Sequence, residues 1–358
     1  MRIRDYSIRK LVVPIDAPIS DSQTDWNTDG ISYMTLETDT GETGVGFGSV
    51  SPDLPLSVLR ERFESVSDEL VGKSPFHLRK KLRRPRGGDY SSAPRGGFDQ
   101  VVDLALWDLC GKHLDMPLYE LLGGTEPSVP AYVSGLHYCQ DDQFTRQQYD
   151  QYSERGFTAA KVKIGYPTVR EDVERLELVR AAMGQDTTLM VDANEAWSPK
   201  EAIRRAHAIR DAGFDIYWYE DPVLRADVEG IRDVSESVPF SHVNAGEYVN
   251  LEGKRELLEE RAVDVLNLRT GIILESLQAA TLAHAYGVLT HVGHGPGNVG
   301  VHLAAALPES TCVEWWDRPW DGLVQDPVVI EDGRMIAPDR PGHGVTLTDA
   351  AVEEYESE

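Results

Sequence analysis

Lysine is scarce in this sequence. It supplies nine of the 35 basic side chains, and 60 acidic ones leave a formal charge of −25. A field of that sign excludes nucleic acid and anionic membranes as partners. An acid-rich, lysine-poor surface suits a high-salt cytoplasm, where screening removes the self-repulsion of so much charge. A halophilic, cytoplasmic protein is therefore expected. Cysteine is scarcer still. Cys110, Cys139 and Cys312 are scattered without metal spacing, which excludes a disulfide framework and a zinc-type cluster. Long apolar runs are missing: none reaches membrane length, and residues 1–14 hold no signal-peptide core. The 358 residues suffice for one large catalytic domain and a smaller one.

The stretch that organises the rest is 187–197. An apolar run, Leu189, Met190 and Val191, reads as a buried strand and ends abruptly in Asp192 and Asn194. Asp and Asn are also common turn residues, so the motif alone decides little. Repetition decides more. Lys163 ends one apolar run, Asp192 the next 29 residues later, Glu220 another 28 on and Glu247 another 27 on. Each interval holds one strand, one helix and two short loops. Polar groups at successive parallel strand ends then converge on one face, the active-site face of a β/α barrel.

Residues 1–125 read as an α+β domain. Alternation predicts antiparallel strands over 1–14 and 31–47, with turn chemistry at Asp39-Thr-Gly-Glu-Thr-Gly. Residues 16–30 have low strand propensity and read as a disordered connector or a functional flap. Helix is predicted over 55–82 with a break near Lys73-Ser-Pro, over 97–114, and from Leu118 to a glycine stop. The basic, Gly-rich loop 83–92 reads as a solvated turn rather than an anion contact. From 129 onward strands and helices alternate. Strands are predicted over 131–134, 159–164, 188–191, 216–219, 242–245, 263–268, 288–292 and 311–315. Helices such as 169–183, 199–212 and 275–286 lie between them. The tail is expected to return to the N-terminal domain.

Lys161-Val-Lys163, Asp192-Ala-Asn194, Glu220-Asp-Pro and Gly246-Glu247, in this order and at barrel spacing, resemble the enolase superfamily. Glu247 with His294 is similar to its mandelate racemase subgroup (the mandelate racemase/muconate lactonizing enzyme family). Ala105-Leu-Trp-Asp-Leu-Cys-Gly-Lys and Leu121-Leu-Gly-Gly match that family's domain junction, so the resemblance spans nearly the whole chain. It implies an α/β fold: a (β/α)7β-type TIM barrel at 126–320, an N-terminal α+β capping domain at 1–125, and the tail 321–358 completing the cap. It also implies a small-molecule carboxylate substrate, a homo-oligomer, and Glu314 as a substrate contact; Asn194 and Arg269 are candidate substrate contacts beside it.

The chemistry also follows from the residues. Asp192, Glu220 and Glu247 form a hard oxygen site of the kind that suits Mg2+. Removing the proton α to a carboxylate makes a dianionic enediolate, and Mg2+ stabilises that charge as a Lewis acid. Lys161 and Lys163 are two apart on one strand and share a face. Adjacent ammonium groups depress each other's pKa, which helps one act as a base near neutrality. Lys163 is assigned as the base, and Lys161 as its electrostatic neighbour and a carboxylate contact.

His294 is assigned as the second acid/base group, in Thr290-His291-Val-Gly-His294. His302, eight residues on, sets that register, and His291 reads as a satisfied strand residue. The subgroup normally pairs this histidine with an aspartate ending the sixth strand. Arg269 stands in that place, or in that of the lysine used by the muconate-cycloisomerase side. Arg stays charged and cannot be a base. Two roles are open to it: binding a second anionic group on the substrate, or supporting the loop. Glu314 would repel the substrate anion if ionised and alone, so it is expected protonated or bridged. Three functions stay open. Dehydration of an acid sugar (aldonate or aldarate) leads, because one base and one acid suffice. Racemisation, epimerisation or cycloisomerisation uses the same enediolate, and a metal-binding regulatory relative would not turn over at all. Specificity is expected in 16–30, in 50–54 and in Trp315-Trp-Asp-Arg-Pro-Trp.

Overall fold

The computed structural model describes residues 1–78, 98–269, 271–293, 297–307, 310–317 and 322–357, with only the backbone at 65–69, 77–78, 98–99 and 297–298. Strands β1 (Ile3–Ser20), β2 (Asp25–Thr38) and β3 (Thr43–Val50) form an antiparallel sheet in that order. Among the described residues helices α1 (Leu56–Leu70), α2 (Pro75–Leu78), α3 (Phe98–Leu114) and α4 (Leu118–Leu121) follow. Helix α3 lies directly on β3. A Cβ on Gly46 would stand 1.8 Å from the Val101 carbonyl oxygen, so only glycine permits that approach. Buried Asp108 on α3 fastens three segments. Its Oδ2 accepts from Val45 N at 2.8 Å and Lys112 Nζ at 2.7 Å, and its Oδ1 accepts from His343 N at 3.1 Å.

The next segment alternates: β4 (Ser128–Gly135), α5 (Asp142–Glu154), β5 (Ala159–Lys163), α6 (Val169–Met183), β6 (Thr188–Asp192), α7 (Pro199–Asp211), β7 (Ile216–Glu220) and α8 (Val228–Ser237). It continues through β8 (His242–Ala245), α9 (Leu251–Glu259), β9 (Val265–Asn267), α10 (Ile273–Tyr286), β10 (Leu289–Val292), α11 (Gly297–Ala306) and β11 (Ser310–Trp315). Each strand pairs in parallel with the next, and β11 pairs with β4, closing an eight-stranded barrel. Local chemistry starts the helices. Thr168 and Glu171 form a reciprocal capping box on α6, Ser198 caps α7 just before Pro199, and Asp141, Asp227 and Asn250 cap α5, α8 and α9. Beyond the barrel come β12 (Val329–Glu331), β13 (Arg334–Ile336) and α12 (Asp349–Tyr355).

Residues 16–30 are neither a disordered connector nor an open loop. Both arms of the β1–β2 hairpin run through them, with Ile19 opposite Trp26 and a register shift between Pro14 and Ile19. The segment is polar and Pro18 cannot donate to a ladder, which lowered the strand signal. The hairpin tip is instead fixed on the barrel: Ser20 N donates to Leu136 O at 2.8 Å, and Tyr138 N donates to Ser20 O at 3.3 Å. The tail divides its contacts. Strand β13 pairs antiparallel with the start of β4, whereas Val345, Leu347 and Ala351 pack with Leu11, Val13 and Ile31 of the sheet. Loop 83–92 lies outside the described residues.

Candidate active site

Strand alternation sorts the barrel interior into layers. Tyr132, Met190, Trp218, Val265 and Cys312 form an apolar layer. Two residues further along their strands stand Asp192, Glu220, Asn267 and Glu314, joined by Lys161, Asn244 and His291. Parallel register sets Lys163, Asp192 and Glu220 side by side at the ends of β5, β6 and β7. Glu247 follows Gly246 just past β8, where a φ of +116° requires glycine.

Lys161 is the hub. Its Nζ lies 2.9 Å from Glu220 Oε1, 2.9 Å from Glu314 Oε1 and 3.4 Å from Asp192 Oδ2. Lys163 Nζ donates to Asp192 Oδ2 at 2.7 Å and to Asn194 Oδ1 at 2.6 Å. Both lysines therefore reach the same Asp192 oxygen. Burial pulls the Lys161 pKa down, but Glu220, Glu314 and Asp192 outweigh it and hold the pKa well above its usual value. Burial likewise opposes ionisation of Asp192, yet Lys163 and Lys161 hold its carboxyl below the usual range. Glu220 lacks such compensation: burial, reinforced by Asp192 and Glu314, pushes it well up despite Lys161. Burial also raises Glu247.

Three observations bear on a divalent cation. The donor set is all carboxylate, and the raised pKa values mean that Glu220 and Glu247 are short of positive charge. Glu247 Oε1 is buried without a hydrogen-bond partner. Among the described residues no three His, Cys, Asp or Glu side chains already surround one point. Lys161 and Lys163 bond into the space between Asp192, Glu220 and Glu314 instead. These residues suit a hard cation whose charge the two ammonium groups partly replace.

The other expected residues divide. Asn194, in the left-handed region at φ +45°, aims its amide oxygen at Lys163. Glu314 is bridged by Lys161. Arg269 has its guanidinium carbon 5.0 Å from the centre of the Tyr248 ring and draws the Glu247 pKa downward. His291 is fully buried on β10, and His302 on α11 links α4 and the tail to the barrel, accepting from Tyr119 N at 3.1 Å and meeting His343 O at 3.3 Å. His294 lies outside the described residues.

Sequence reading missed several groups around this set. Arg225 is 4.4 Å from the same Tyr248 ring and forks onto Glu195, with Nη2 at 2.9 Å from Oε2. Glu195 and Asp221 both have positive φ, +62° and +38°, so the ends of β6 and β7 carry backbone strain of the kind concentrated at functional sites. Buried Lys254 donates to the carbonyls of Gly246 and Asn267, tying the ends of β8 and β9 together. Asn244 and Asn267 donate to Glu220. Counting by two back along β8 and β9 would have found both asparagines, since their neighbours Ala245 and Leu266 face outward into the helix layer.

Comparison with known proteins follows the same lines. Residues 3–123 match the N-terminal domain of the mandelate racemase/muconate lactonizing enzyme family, and residues 144–351 match the enolase C-terminal domain-like family. The chain is 36% identical over 273 residues to the 3,6-anhydro-α-L-galactonate cycloisomerase of Streptomyces coelicolor, a match covering 73% of this chain and 71% of that protein. It is 32% identical to the arabinonate dehydratase of Saccharolobus solfataricus, covering 71% and 70% respectively. A racemase from Streptomyces coelicolor A3(2), crystallised with bound magnesium, superposes with a TM-score of 0.88 at 26% identity, covering 99% of this chain and all of that one.

Proposed function

The chain belongs to the mandelate racemase/muconate lactonizing enzyme family of the enolase superfamily, and from that premise we propose that it dehydrates an acid sugar. It is an enzyme that works on a small carboxylate, and Mg2+ is its cofactor. Asp192, Glu220 and Glu247 would hold the ion, which as a Lewis acid offsets negative charge developing on the substrate carboxylate. The observation that carries the reading is the position of Lys163 at the tip of β5, hydrogen-bonded to Asp192 and Asn194 and next to the acid cluster.

In this reading Lys163 is the base that takes the proton α to the carboxylate. Lys161 and Glu314, bonded to each other, contact the substrate carboxylate, and Asn194 fixes the direction of the Lys163 amine. The enediolate then expels the β-hydroxyl, and His294 protonates it as it leaves as water. An enol results, which tautomerises to a 2-keto acid. Racemisation through two matched bases fits less well. The sixth strand supplies Arg269 where a carboxylate would orient the histidine, and its guanidinium rests on Tyr248. Cycloisomerisation is the second reading, favoured by the 36% identical relative, which bears that activity in its name.

A panel of aldonates and aldarates in deuterated water with Mg2+ tests this. Net loss of one water with a 2-keto product is the expected result. Exchange without loss of water points to isomer chemistry, and neither event on any acid sugar overturns the reading.

A further inference from the structure

Glu220 is bound from below as well as from the side. Its Oε1 accepts from Lys161 Nζ at 2.9 Å and Asn267 Nδ2 at 3.3 Å, and its Oε2 accepts from Asn244 Nδ2 at 3.1 Å. The same Asn244 nitrogen lies 2.8 Å from His291 Nε2. An imidazole nitrogen that accepts carries no proton, so the proton of His291 sits on Nδ1, which faces the Tyr132 hydroxyl at 3.5 Å.

We propose that Asn244 and His291 are positioning residues for the metal ligand Glu220: His291 decides which way the Asn244 amide faces, and that amide fixes the orientation of the Glu220 carboxyl group. The inference rests on the metal reading of the site. Neither residue touches the reacting atoms. The amide oxygens of Asn244 and Asn267 are both buried without a hydrogen-bond partner. Leaving them so is unfavourable unless the N–H groups are needed elsewhere, and Glu220, whose two oxygens accept from Lys161, Asn244 and Asn267, is that need. Turned over, Asn244 would put its oxygen against both the Glu220 carboxylate and the His291 lone pair.

Packing leaves the set little room to rearrange. His291 lies with its ring centre 4.8 Å from that of Trp218, and Tyr132 meets Trp218 edge-on at 5.4 Å. On the other side a Cβ on Gly293 would stand 2.9 Å from the Asn267 amide and 3.0 Å from His291 Cε1. A side chain there would drive the Asn267 amide or the His291 ring out of place, so the close fit of Gly293 and the hydrogen bonds serve one arrangement.

Calorimetric titration of Mg2+ into the EDTA-stripped full chain tests this, with circular dichroism as the control for folding. His291→Phe keeps a ring against Trp218 but removes the acceptor. Its Mg2+ affinity should fall about 10–100-fold, the usual effect of losing a hydrogen-bonded neighbour of a metal ligand. His291→Gln, which can again accept from Asn244, should recover part of that loss. Asn244→Ser removes the donor itself and serves if His291→Phe does not fold. The double variant should bind no more weakly than Asn244→Ser, because both act through one chain of bonds. Wild-type affinity in Asn244→Ser, equal losses in His291→Phe and His291→Gln, or additive losses in the double variant would overturn the inference alone. A wild-type chain that takes up no Mg2+ would overturn the metal reading and this inference with it.

Discussion

Lys163 Nζ donates to Asp192 Oδ2 across 2.7 Å, so the proposed base and a proposed metal ligand share a hydrogen bond. The pair makes a double prediction for Lys163→Ala. Exchange of the substrate α-proton should drop by about 10²–10⁴-fold, the usual value of a general base. Mg2+ affinity should hold or rise, because an ammonium group competing for the Asp192 oxygen is gone. Proton NMR in deuterated water and a Mg2+ titration read the two effects separately. Full exchange in the variant would move the base elsewhere.

His294→Asn should act on the other half of the reaction. Dehydration should be suppressed while slow α-proton exchange continues, because deprotonation by Lys163 can still run and reverse. The comparison needs product formation and deuterium uptake measured on one sample. Exchange lost with His294 but kept without Lys163 would reverse the two roles and imply the opposite configuration at the α-carbon.

The sequence made the top layer of the site legible because each member ends an apolar run. Asp192, Glu220 and Lys163 stand at such ends, and parallel register brings them together. What lay one layer deeper was harder to read. Asn244 and Asn267 sit inside short strands, where a polar residue suggests a turn as readily as a core contact. The Arg225–Glu195 fork was invisible because it joins two loops whose strained backbones no local propensity announces. The hairpin arms over 16–30 were missed for a tertiary reason. Their polar composition and Pro18 argue against strand, and docking of Ser20 on the end of β4 overrides them.

Arg269→Ala should separate substrate binding from support of the loop. Its guanidinium rests on Tyr248 beside Glu247, near enough to draw that carboxyl's pKa down. If it binds a second anionic group, KM for dianionic acid sugars should rise far more than for monoanionic ones. Arg269→Asp should then fail to improve turnover. Equal changes in KM for both classes would leave the arginine only its supporting role.

Asp108→Ala should destabilise the chain strongly without touching the site. The carboxylate is buried and binds Val45 N, Lys112 Nζ and His343 N, so the variant strands two buried backbone donors, whereas Lys112 Nζ keeps the Thr43 carbonyl. Each buried donor left without its acceptor costs about 1–3 kcal/mol. Thermal or urea unfolding should register that loss, whereas Mg2+ affinity measured on the folded fraction should not change.

His302 should shape the acid limb of stability. It is buried between α4 and the tail, accepting from Tyr119 N, and burial followed by the nearby His343 lowers its pKa from 6.5 to about 3. Between those two values the unfolded chain holds a proton that the folded chain does not. Stability from the neutral ring is therefore complete above about pH 6.5, the ordinary histidine value, and drains away as the pH falls toward 3. The slope over that window is about 1.4 kcal/mol per pH unit for one such group. His302→Gln cannot titrate. It should be less stable than the parent at pH 7, yet lose about 2 kcal/mol less between pH 6.5 and pH 5, as judged by urea unfolding in EDTA. His291, also buried with a pKa lowered to about 3, contributes the same limb to both proteins and cancels in the comparison. Parallel losses in parent and variant would mean that His302 already carries its proton in the folded chain.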